Sequence, residues 1–132
     1  MIAKIKFFIT ENTPHYLLFL ALLFFVIQPH NPEISGIASW YGGGEILNEH
    51  TANGELFDPG ELTCASWNYT FGTTLRITNY ANGNSIIVRV NDRGPNKRLG
   101  RIIDLTKKAF SEIADIKEGL IKVKIEKVEP ST

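Results

Sequence analysis

From Ile34 onward the apolar positions recur mostly at every second residue, the period of a strand with one buried face. Residues 35–41 alternate in part, and residues 62–65 read as a short strand of small side chains. Residues 73–79 set Leu75 and Ile77 on one face against Thr74, Arg76 and Thr78 on the other. Residues 84–90 alternate through Ile86, Val88 and Val90, and Asn82-Gly83 just before them predicts a two-residue hairpin turn. After a strand at 101–105, residues 106–113 take helical spacing through Ala109, Phe110 and Ile113, with Asp104 or Thr106 as the N-cap. Residues 120–128 close the chain with Ile121, Val123 and Ile125 inward and Lys122, Lys124 and Glu126 outward. About six short strands and one short helix predict a mainly β domain, either a small closed barrel or a sandwich.

The N-terminal quarter departs from this pattern. Lys4 and Lys6 precede an unbroken apolar run, residues 16–27, with no polar face. Twelve residues suit the core of an export signal and fall short of the ~20 that span a bilayer. Gln28-Pro29-His30-Asn31-Pro32 then breaks any helix. The bulky Phe25, Val26 and Ile27 make a poor cleavage site, so residues 1–32 read as a signal peptide or a retained N-terminal membrane anchor. Residues 33–132 form the folded domain, large enough for one core.

Composition narrows the chemistry. Fourteen cations balance fourteen anions, so bulk charge points to no nucleic acid and no acidic partner. The single cysteine, Cys64, excludes an internal disulfide. One histidine, His50, lies beyond the N-terminal segment, which argues for neither a metal site nor a serine-nucleophile triad, and no cofactor is implied.

What remains is carboxylates in polar loops and at strand ends. Asp92 and Asp104 bracket a loop closed by Gly94-Pro95 and Gly100 and rich in Arg93, Lys97, Arg98 and Arg101. Glu55 sits in a turn-rich stretch, residues 48–60, with Asp58 nearby; that stretch is long for a mere connection. Asp92 could simply tighten a turn and Asp104 cap the following helix. Trp40, Tyr41, Trp67 and Tyr69 fall near strand ends or in loops, and acids beside flat rings suit a sugar chain. The residues alone do not separate a glycan cutter from a glycan binder.

Several blocks in one order resemble the rare lipoprotein A (RlpA) family: Gly36-Ile37-Ala38-Ser39-Trp40-Tyr41-Gly42, Thr51-Ala52-Asn53-Gly54-Glu55-Leu56-Phe57-Asp58, Phe71-Gly72-Thr73, Asn91-Asp92-Arg93-Gly94-Pro95 and Gly100-Arg101-Ile102-Ile103-Asp104-Leu105. The resemblance implies a six-stranded double-psi β-barrel with one short helix, behind an N-terminal hydrophobic helix. It also implies an exported protein of the periplasm or cell envelope, anchored through residues 1–30 if the signal is kept. The implied activity is endolytic lytic transglycosylation of peptidoglycan strands poor in stem peptides, leaving 1,6-anhydro ends. By the same resemblance Glu55, Asp92 and Asp104 are the catalytic acids, and Trp40, Tyr41, Asp58, Ser66 and Arg93 contact the glycan. The block Thr63-Cys64-Ala65-Ser66 carries serine where the family pattern has histidine. That departure favours the alternative of a non-cleaving, expansin-like module that binds and loosens the wall.

Overall fold

The computed structural model describes residues 14–26, 32–45 and 47–129, in two separate units. Lys4, Lys6 and the helix-breaking residues 28–31 lie outside the described residues. In the first unit the apolar run forms helix α1 (His15–Val26). Its 12 residues rise ~18 Å, and no described helix is long and apolar enough to cross a membrane.

The second unit is a closed six-stranded barrel. Its strands are β1 (Ile34–Tyr41), β2 (Thr63–Ala65), β3 (Thr74–Asn79), β4 (Ser85–Asp92), β5 (Ile103–Thr106) and β6 (Ile121–Lys127). Around the barrel they run β1-β5-β2-β4-β3-β6, and β6 pairs back onto β1. The pairs β1–β5 and β2–β4 are parallel and the rest antiparallel. Closure leaves no free sheet edge, which a six-stranded sheet of this size would otherwise have to protect.

Period-two alternation fills the interior as the pattern requires. Leu75 and Ile77 of β3, Val88 and Val90 of β4, Ile103 and Leu105 of β5, and Val123 and Ile125 of β6 are all buried. Helix α2 (Lys107–Ser111) and the residues after it add Ala109, Phe110 and Ile113 to the same core. Fully burying one such side chain stabilises the fold by roughly 1.5–3 kcal/mol.

Two local expectations are corrected. Asp104 does not cap α2, because it lies inside β5; Thr106 does, its Oγ1 accepting from the Ala109 N–H at 3.3 Å. The β3–β4 hairpin turns through four residues rather than two. The Asn79 N–H donates to the Asn84 carbonyl at 2.8 Å, and Gly83 takes the left-handed conformation at φ +73°. A side chain there would carry steric strain that glycine avoids.

Candidate active site

Strand register builds the site. Ser39 pairs with Asp104 across β1–β5, Asp104 with Ala65 across β5–β2, and Ala65 with Asp92 across β2–β4. The four residues therefore form one row across four adjacent strands. With a strand spacing near 4.8 Å, the two aspartate Cα atoms stand ~10 Å apart, and only the methyl of Ala65 lies between them. Their row alternates with the buried row of Leu105, Cys64 and Val90, so it faces out of the barrel wall. A register shift between Cys64 and Ala65 skips Asn91 on β4. This bulge brings Asp92, rather than Asn91, opposite Ala65; bulges re-aim side chains in this way beside active sites.

Both aspartates open into a groove of about 450 Å³, whose other walls include Tyr41, His50, Ala52, Phe57 and Pro95. Asp92 Oδ1 accepts from the Ala52 N–H at 3.0 Å and the Arg93 N–H at 2.8 Å. Asp104 Oδ1 accepts from the Ser39 hydroxyl. The backbone at Gly94 passes close overhead, where a Cβ would stand 3.6 Å from Asp104 Oδ2 and 3.3 Å from the Ala65 methyl. A larger residue at 94 would crowd the space between the acids.

The long 48–60 stretch is a folded flap. His50 bridges to Leu56, and the Phe57 N–H returns to the Glu49 carbonyl at 2.9 Å. The Asn53 N–H reaches the Asn91 carbonyl at 3.2 Å, closing the flap onto β4. Tyr41 stacks on Phe57 with ring centroids 5.1 Å apart. Its hydroxyl is buried and makes no close hydrogen bond among the described residues. Burial pushes its pKa far up, and the Asp92 carboxylate, by charge and by a weak hydrogen bond, and the Asp104 carboxylate push it further. A buried hydroxyl left unpaired costs ~1–3 kcal/mol, and here the neighbouring Asp92 carboxylate offsets part of that cost.

Glu55 belongs to the flap but not to the groove lining. Its carboxylate receives both Arg89 Nη atoms at 2.5 and 2.9 Å, Asn53 Nδ2 at 2.8 Å and Asn91 Nδ2 at 3.2 Å. The Arg89 hydrogen bonds, followed by those of Asn53 and Asn91, pull its pKa down to about 2. Arg89 and Asn91 alternate with Val88 and Val90, so this cluster sits on the face of β4 opposite the core.

The remaining candidates divide. Tyr41 and Arg93 line the groove; Trp40, Asp58 and Ser66 do not. Trp40 has the core-side parity of β1, packs against the buried cluster and donates its indole N–H to the Ile116 carbonyl at 3.2 Å. Asp58 Oδ1 holds its own turn through the Gly60 N–H at 2.8 Å. Ser66 is fully buried, and its Oγ accepts from the Asn68 N–H at 3.1 Å. The Arg93 guanidinium donates to the Ser66 and Tyr69 carbonyls at 2.7 and 2.9 Å and lies 3.8 Å from the Phe71 ring centre. Burial pushes the Cys64 thiol up to about 12, which leaves it no thiolate at neutral pH.

His50 is the groove residue that sequence reasoning passed over as isolated. Its place directly before Thr51-Ala52-Asn53-Gly54-Glu55 was the available signal. The Gly42-Gly43-Gly44 turn binds an anion of its own, Glu45, whose carboxylate takes the Gly42 and Gly43 N–H groups at 2.6 and 2.7 Å.

Comparison with known proteins agrees with this barrel. A family model described as lytic transglycolase matches residues 33–125. An endolytic peptidoglycan transglycosylase RlpA of Rickettsia bellii is 44% identical over 100 residues, covering 74% of this chain and 44% of that protein. The chain spans under half the length of the curated relatives it matches. Among solved structures, the Streptomyces papain inhibitor superposes with a TM-score of 0.61 at 22% identity, covering 76% of this chain and 98% of that one. An expansin of Clavibacter michiganensis, solved with cellohexaose, also gives 0.61, at 19% identity over 76% of this chain and 52% of that one. Two such unlike proteins show a shared fold and nothing more.

Proposed function

The chain belongs to the lytic transglycolase family, and on that premise we propose that it is an endolytic peptidoglycan transglycosylase whose chemistry is carried by Asp92 and Asp104. The single observation that supports this most is the row Ser39, Asp104, Ala65 and Asp92, with two carboxylates facing one groove on either side of Ala65. One carboxyl gives its proton to the oxygen linking N-acetylmuramic acid to N-acetylglucosamine. That C–O bond breaks, and the N-acetylglucosamine leaves with a 4-hydroxyl. The electron-poor C1 of the muramic residue is captured by its own O6, whose proton passes to the second carboxylate. One bond breaks, one forms, and no water enters. Glu55, held ionised at neutral pH by Arg89, serves as a positioning residue rather than the proton donor. It fixes the flap whose Ala52 N–H binds Asp92. Tyr41 gives the groove wall its Phe57-backed ring.

Residues 1–32 would carry the domain out of the cytoplasm, as a cleaved signal or a kept anchor, to peptidoglycan in the periplasm or cell envelope. The basic start and apolar run support that reading, and N-terminal sequencing of the protein recovered from cells tests it. A second reading, a glycan-binding module without cleavage, is favoured by the buried Ser66, which presents no imidazole to the groove. Incubation with purified wall sacculi separates the two. The transglycosylase reading expects soluble fragments with the wild type and none with D92N or D104N; binding without release supports the second reading.

A further inference from the structure

Beyond Pro95 the groove meets an aromatic ring that the core does not need. Trp67 is 50% exposed, yet its indole N–H donates to the Pro95 carbonyl at 2.6 Å, which locks the ring against a wall of the groove. The loop carrying it is clamped as well. The Ser66 N–H donates to the Asp92 carbonyl at 3.1 Å, and Arg93 grips the Ser66 and Tyr69 carbonyls from the groove side. A large apolar face held rigid in water loses little further freedom when it binds a flat partner.

Charge identifies that partner. Residues 93–101 carry Arg93, Lys97, Arg98 and Arg101 and no carboxylate, in a chain that is neutral overall. Among the described residues Lys97, Arg98 and Arg101 form no ion pair, and Lys97 Nζ stands 5.0 Å from the Trp67 ring centre. An ammonium beside an exposed indole offers a sugar two contacts: the indole for the apolar face of the ring, the ammonium for a carboxylate on the same residue. Lysine's flexible stem lets the ammonium swing from the ring to that carboxylate.

We propose that Trp67 and Lys97 form an acidic-sugar subsite continuous with the groove, which takes a muramic residue whose lactyl carboxylate is free of peptide. This rests on the reading of the groove as a glycan site.

The test uses the full chain carrying D92N, so that strands stay intact, and measures dissociation constants by calorimetry. The probes are peptide-free glycan strands and the same strands after reduction of their carboxyl groups to alcohols. The acidic strands should bind about 3-fold tighter than the reduced ones, the scale of one solvent-exposed ion pair. Adding W67A should weaken both about 10-fold, whereas W67F, which keeps a ring but loses the N–H that locks it, should fall between W67A and the parent. Adding K97Q should erase the preference for the acidic strands and leave the affinity for reduced strands unchanged. A W67A protein that melts like its parent and binds like it overturns the subsite, as does a K97Q protein that keeps the preference. If the D92N chain binds neither probe, the glycan reading of the groove fails, and the subsite with it.

Discussion

Replacing Glu55 by glutamine removes a charge that four N–H donors converge on. The folded protein holds this carboxyl at about 2, against ~4.3 for an unperturbed glutamate. A depressed folded pKa stabilises the fold fully above the unfolded value, and the contribution is lost as pH falls from about 4.5 toward 2. The gap would nominally convert to ~3 kcal/mol. Both side chains are over a third exposed, at 36% and 40%, so solvent screening removes most of it. About 1 kcal/mol is the expected remainder, in line with a well-formed exposed pair reinforced by amide hydrogen bonds. Urea melts of wild type, E55Q, R89Q and the double variant should show a coupling energy of about 1 kcal/mol at pH 7 that vanishes near pH 2. Turnover should behave in parallel. Loss of the flap's anchor misplaces Ala52 and so Asp92, and an error of ~1 Å can cost ~100-fold in rate. If Glu55 acts through Arg89, the double variant is no slower than the worse single one. The reasoning is refuted if E55Q costs as much stability at pH 2 as at pH 7. It is equally refuted if E55Q abolishes turnover while R89Q leaves it near wild type.

Three further outcomes follow from the same geometry. Y41F should leave stability unchanged or raise it by up to ~1 kcal/mol, since it deletes a buried hydroxyl without a close partner, while KM for glycan strands stays near wild type because the ring in the groove wall is kept; thermal melts and steady-state kinetics read both. H50Q removes an exposed imidazole from the groove, so the melting curve should stay within ~0.5 kcal/mol of wild type. Its turnover should stay near wild type, because Asp92 and Asp104 carry the chemistry; a loss as deep as that of D92N would contradict the two-aspartate scheme. S66A strips the buried turn of the acceptor for the Asn68 N–H and should cost about 1 kcal/mol by chemical denaturation.

The barrel's strands were legible because their burial repeats locally. In β6 the alternation of Ile121, Val123 and Ile125 with Lys122, Lys124 and Glu126 fixes which face is inside without reference to any other strand. The closed order was reached only through the family resemblance, since nothing in one strand's pattern says that β5 enters between β1 and β2. The site was legible in its acids and not in their arrangement. Trp40 and Tyr41 are neighbours of similar character, and only the parity of β1 sends one toward the core and the other to the groove. The row uniting Asp92 and Asp104 depends on a bulge at Asn91, a feature of pairing between β4 and β2. The partners of Arg93 were not legible because sequence shows charges and not carbonyls; two backbone oxygens claim it. His50 looked isolated because the acids it joins come from strands far along the chain.

The central claim is that two aspartates in one groove cut a glycan without water. Mass spectrometry of peptide-free strands digested by the full chain in oxygen-18 water tests it most directly. The account predicts new muramic ends lighter by one water than hydrolysed ones and free of oxygen-18, absent with D92N and with D104N. Strands that stay intact while bound, or new ends that carry oxygen-18, would contradict it.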